Sequence, residues 1–149
     1  MNHLVIYNKK LFARDYINLM LTGNKVLGSK FTSRRTAPYQ KLKSGDYLYL
    51  KESSGPVLGR VRAKVVISKE IVNPEEIMEF LTKYRQDIGI NSDESLMNIW
   101  RRNSNKRYLC YWTVESPEVV QCPVFIHKRD RRTWVVGFEP SEELLAAFL

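Results

Sequence analysis

The chain is short of the residues that staple, break or thread a fold. Only two cysteines, Cys110 and Cys122, stand among its 149 residues. They form no CxxC pair and have no histidine at metal-ligand spacing. That argues against a zinc ribbon or a disulfide framework and predicts two buried structural thiols in a cytoplasmic protein. Glycine (7) and proline (6) are too scarce for a low-complexity or collagen-like chain. No apolar run nears the roughly 18 residues that cross a bilayer. The first residues lack a cationic stretch followed by a long apolar one, so no secretory signal and no membrane partner is expected. Histidine is nearly absent, with His3 and His127 alone. The phosphate-binding glycine loop, the GxSxG elbow and HExxH are missing as well. No metal and no cofactor is expected.

What is present is charge. The hydrophobic fraction of 44% and charged fraction of 27% fit a globular chain, read as a single domain over residues 1–149. The net charge of +8 is unevenly spread: residues 23–64 carry +8 and 101–132 carry +5, whereas 65–100 carry −4 and 133–149 carry −3. Segregated sign favours an anionic partner over a uniformly solvated surface.

Local patterns divide the chain into short elements. His3–Tyr7 reads as a strand. Asn8 is expected to cap a helix over residues 9–22, with Phe12, Tyr16, Leu19 and Met20 on one face and Gly23 at its left-handed end. Residues 24–43 read as a basic loop around one short strand. Strands are predicted at residues 47–51 and at Val57–Ile67, the second setting Arg60, Arg62 and Lys64 on one face at a spacing of about 6.6 Å. Asn73-Pro74-Glu75-Glu76 starts a helix that Gly89 ends, and Ser92 or Asp93 starts another. Arg101–Arg107 is a basic link. Strands follow at Tyr108–Val114, Val119–Ile126 and Thr133–Phe138, then a helix from Pro140. The class is α+β: a small bent sheet or open β-barrel of about six strands, with flanking helices and an acidic helical insertion.

The stretch Gly23-Asn24-Lys25-Val26-Leu27-Gly28-Ser29-Lys30, directly after the first helix, resembles the ASCH family signature GxKxxExR. Gly23 and Lys25 match. Gly28 stands at the acidic position and Lys30 at the arginine. Lys43–Glu52, Gly55–Gly59 and Arg132–Val136 carry the likeness along most of the chain. The resemblance implies a PUA-like β-barrel with a cleft lined by the loop after the first helix, and RNA as a partner. One branch of that family removes the acetyl group from acetylated cytidine, and others are described as ribonucleases. In the deacetylating branch a lysine, matched by Lys25, acts with a threonine, at whose position Gly28 stands, and with a glutamate; Glu52, Glu75, Glu76 and Glu79 are open for that role.

Independently of the resemblance, a lysine crowded by Lys30, Arg34 and Arg35 should have a lowered pKa, suiting it to phosphate contact or to general-base work. Aromatics beside cations suit single-stranded nucleic acid, where bases stack on rings while phosphates meet Arg and Lys. Tyr39 is expected as the exposed stacking platform, and Trp112 and Trp134 as core. The leading expectation is a binding domain for RNA, single-stranded nucleic acid or a modified nucleotide, using Lys25, Ser29, Lys30, Arg34, Arg35, Tyr39, Lys51, Arg60, Arg62, Arg131 and Arg132. The alternative is an enzyme of the amidohydrolase or ribonuclease type, with Lys25 as base and Glu52 as partner. A third reading is a protein adaptor using the acidic helices.

Overall fold

The computed structural model describes residues 1–8, 15–127 and 131–148. Six strands form one sheet in the order β2-β5-β4-β3-β1-β6. They are β1 (Asn2–Tyr7), β2 (Leu27–Thr32), β3 (Tyr47–Glu52), β4 (Val57–Glu70), β5 (Tyr108–Val124) and β6 (Trp134–Val136). Five helices flank them: α1 (Tyr16–Leu21), α2 (Glu75–Lys83), α3 (Arg85–Ile88), α4 (Asp93–Asn103) and α5 (Glu142–Ala146). β1 and β3 pair in parallel, and the other pairings are antiparallel. The result is a curled, mixed sheet with the shape of a half-barrel, an α+β architecture.

Curl comes from the two longest strands. Their register shifts between Val57 and Gly59, between Arg60 and Arg62, and between Ala63 and Val66. Each bulge bends the strand that carries the extra residue and adds twist. One bulge absorbs Ser116-Pro117: Arg60 faces Glu118 and Arg62 faces Glu115, leaving two residues of β5 opposite Val61 alone. Ser116 adopts φ 53° there, and proline, lacking an N–H, is tolerated at a bulge. The two strands expected at 108–114 and 119–126 are therefore one.

The sheet is covered on both faces, which explains why Leu48, Tyr49 and Leu50 are buried in succession. Leu48 and Leu50 join Val5, Ile17, Met20, Val61, Trp112 and Trp134 in the central core. Tyr49 joins Leu4, Val57, Val120, Val124 and Leu144 beneath α5. The helical insertion packs Ile77, Phe80, Leu81, Ile88 and Leu96 on Leu27 and Leu109 of the far edge.

Several helix ends follow their expected chemistry. Asn73 Oδ1 accepts from the Glu76 N–H, and Ser92 Oγ from the Ser95 N–H. Gly23 (φ 80°) and Gly89 (φ 94°) take the left-handed conformation after α1 and α3. Others differ. The described part of the first helix begins at Tyr16 and is capped by Asp15, not Asn8; Phe12 and the rest of residues 9–14 lie outside the described residues. The helix expected to run on to Gly89 breaks at Tyr84 into α2 and α3. Cys110 is buried as expected, but Cys122 is exposed. No helix among the described residues is long and apolar enough to cross a membrane.

Candidate nucleic-acid site

A cavity of about 390 Å³ opens where α1, β1, β2, β6 and the helical insertion meet. Its wall includes Tyr7, Tyr16, Lys25, Ser29, Lys30, Arg102, Trp112, Thr133 and Trp134. Among the described lining residues there is no aspartate or glutamate. The volume lies at the lower end of the roughly 300–1,000 Å³ typical of small-molecule sites, so it admits one compact ligand rather than a length of strand.

Lys25 is placed by the chain reversal after α1. The N–H groups of Asn24 and Lys25 both donate to Leu19 O, at 2.8 and 2.9 Å. The lysine then runs inward and is 3% exposed. Its Nζ donates to Ile88 O at 2.6 Å and sits 4.6 Å above the centre of the Tyr16 ring. Burial pushes its pKa down to about 7. The expected direction holds, but its cause is loss of water, not repulsion from neighbouring cations. A lysine in this state is a neutral donor and acceptor or a cation according to small changes around it.

Lys30 stands at the rim, its Nζ donating to Thr133 Oγ1 at 2.7 Å. Burial first, and then the charge of Lys106, lower its pKa. Gly28 is fixed by Trp112, its partner across the β2–β5 ladder: a Cβ there would lie 2.3 Å from the indole Cε2. The ring fills the space that a threonine or an acidic side chain would need. Trp134 lies edge-on to Trp112 at 5.3 Å and is oriented from behind. Its Nε1 donates to His3 Nδ1 at 3.0 Å, and His3 Nε2 donates to Asp46 Oδ2 at 2.8 Å. That chain of bonds fixes the His3 tautomer.

The structure thus gathers Lys25, Ser29 and Lys30 in one cavity. It adds Arg102, Tyr7, Tyr16 and Thr133, which the sequence reading missed. Arg102 had one available signal: it follows Ile99 by three residues on α4, so the two share a helix face, and both line the cavity.

The remaining expected residues lie elsewhere. Arg34 and Arg35 are exposed outside the cavity wall, with Arg35 over the Tyr108 ring at 5.6 Å. Tyr39 is not an exposed platform: it is 7% exposed and packs against Tyr108 at 5.0 Å. Arg60 donates to Glu118 at 2.9 Å and to the Tyr49 hydroxyl at 2.9 Å, and it lies over the rings of Tyr47 and Phe148. Arg62 also lies over Tyr47. Glu52 ends β3 opposite Tyr7 of β1 and is not part of the wall. Lys51, Arg131 and Arg132 line an adjoining hollow.

Neither a family model nor a curated protein matches this chain. Solved structures do. An ASCH protein from Zymomonas mobilis matches with a TM-score of 0.64 at 8% identity, over 98% of this chain and 92% of that one. A substituted form of that protein gives a TM-score of 0.62. The N-terminal domain of Staphylothermus marinus McrB matches with a TM-score of 0.50 at 16% identity, over 83% of this chain and 75% of that one. The fold is therefore of the ASCH type.

Proposed function

We propose that this chain is a nucleic-acid-binding domain that takes one nucleotide, of RNA, of another single strand or in modified form, into the cavity beside Lys25. The supporting observation is the make-up of the wall: three basic side chains, five aromatic rings and no described carboxylate around a volume suited to one compact ligand. Aromatic rings offer faces to a base, Lys25 offers a hydrogen bond in a dry setting, and Lys30 and Arg102 offer charge to a phosphate. Titration with a fluorescent single-stranded RNA tests this. Affinity is expected to fall steeply with salt, and Lys30→Ala with Arg102→Ala is expected to weaken binding about tenfold or more, each cation adding a charge-assisted contact. Affinity independent of salt, or untouched by the pair of substitutions, overturns the reading.

An enzymatic reading rests on Lys25 itself. A buried amine whose pKa is about 7 is matched to proton transfer near neutrality. Incubation with acetylated cytidine and with labelled RNA decides this. Turnover that disappears in Lys25→Ala supports general-base work, and no turnover of either substrate by the unaltered protein ends it.

A further inference from the structure

The first cavity does not stand alone. A second hollow of about 480 Å³ shares three wall residues with it: Ile6, Ser53 and Thr133. Its own wall brings Lys51, His127, Arg131 and Arg132 around the turn Ser53-Ser54-Gly55, again with no aspartate or glutamate among the described lining residues. Lys51 is 7% exposed and donates from Nζ to Glu52 O at 3.0 Å; Arg131 and Arg132 are exposed. The other hollows of the molecule differ. Those against α2 include Glu76 and Glu79 or Glu75 and Glu79 in their walls. The one that includes Lys83 and Arg85 shares no wall residue with the first cavity.

Thr133 is the hinge between the two basins. It receives the Lys30 Nζ and directly follows Arg131 and Arg132 in the chain. Consecutive Cα atoms are about 3.8 Å apart, so Arg131 lies within about 7.6 Å of Thr133 by backbone distance. A ligand whose charge meets Lys30 at the mouth of the first cavity therefore meets further cations about one residue of a polyanion away. A lone nucleoside has no group for them to hold.

We propose that the hollow formed by Lys51, Arg131 and Arg132 is a phosphate subsite for the nucleotides flanking the one held beside Lys25, so that the ligand is a strand and not a single nucleotide. This rests on the function proposed above and extends it. The chemistry recognised is the sugar–phosphate backbone, and parallel RNA and DNA arms separate the two sources of it.

The test compares a mononucleotide with a tetranucleotide of the same base, as RNA and as DNA, over a fourfold range of salt. Two further phosphates steepen the log–log salt slope for a single strand by about 1.4, so the salt increase should cost the tetranucleotide about sevenfold more affinity than the mononucleotide. Arg131→Ala with Arg132→Ala should erase that difference and leave mononucleotide binding within about twofold, whereas Lys69→Ala should change neither. A tetranucleotide that binds with the mononucleotide's affinity and slope, or a difference that survives the double substitution, overturns the subsite while leaving the first cavity's role standing. Failure of both ligands to bind at low salt overturns the function itself, and the subsite with it. Circular dichroism of the double variant confirms that any loss is not unfolding, which is not expected of two exposed side chains.

Discussion

At the scale of single residues, Lys25 makes the stability of the molecule depend on alkali in an unusual sense. Its folded pKa is about 7 and the ordinary value is 10.5, so between those limits the unfolded chain binds the extra proton. Stability then rises with pH. The rise is on the order of 5 kcal/mol if the whole window is traversed. Cys110 opposes it at the upper end: burial pushes its thiol up to about 11 from 9.0, so the folded chain holds that proton longer and offsets the climb. Burial, and after it Tyr16, likewise raises the Tyr7 hydroxyl above its usual range. Urea denaturation from pH 6 to 10 should show a climb from pH 7 that levels near 9, and Lys25→Met should flatten the climb. A second expectation concerns Gly28. Placing a methyl group 2.3 Å from the Trp112 ring should cost about 1–3 kcal/mol through overpacking. Thermal melting of Gly28→Ala would reveal this as a lower midpoint, and an unchanged midpoint would show that the ring is free to move.

At the scale of elements, β1 and β6 form the wall that carries Trp134, and the polar chain behind it ties that wall to the turn before β3. Burial works against the Asp46 carboxylate. Bonds from His3, the Lys43 N–H and the N-terminal amine outweigh it and hold the pKa below its ordinary value. A depressed carboxylate contributes stability that is present above pH 4 and lost as acid protonates it. Asp46→Asn should therefore lower the melting temperature at pH 7 and shrink the loss between pH 4 and 2. It should also disturb Trp134, read as a shift in tryptophan emission; an identical spectrum would count against the His3 link. Elements were also where the sequence spoke most clearly. Glycine and cap residues announced the ends of α1, α3 and α4 because they act on adjacent backbone. The gap expected between the strands Tyr108–Val114 and Val119–Ile126 is instead a bulge at Ser116-Pro117, because the β4 residues that absorb it are about fifty residues away. Tyr39 looked exposed because its surroundings in sequence are polar, while its cover, Tyr108, comes from β5.

At the scale of the whole molecule, the segregated charge of residues 23–64 and 101–132 did not reveal which side chains share a wall. Lys25, Ser29 and Lys30 were legible because one strand and its approach carry all three. Arg60 and Arg62 share a face of β4 as expected, but alternation reveals a face and not what packs on it, here the ring of Tyr47 and, at Arg60, Glu118 and Phe148. Thr133 gave no sign because it reaches the cavity from another part of the chain, and Arg102 offered only its helical spacing from Ile99. Ligand binding to such an assembly should raise its melting temperature. An oligonucleotide at a hundred times its Kd should add about 2.7 kcal/mol, and differential scanning calorimetry at low salt would register it, with the gain vanishing as salt is raised.

The placement of β1 between β3 and β6 has a consequence for biosynthesis. Val5 and Trp134 pair across the sheet and both border the cavity, yet they are separated by most of the chain. A ribosome must release the chain through β6 before this pocket can close, so occupancy by ligand reports that synthesis has passed Trp134.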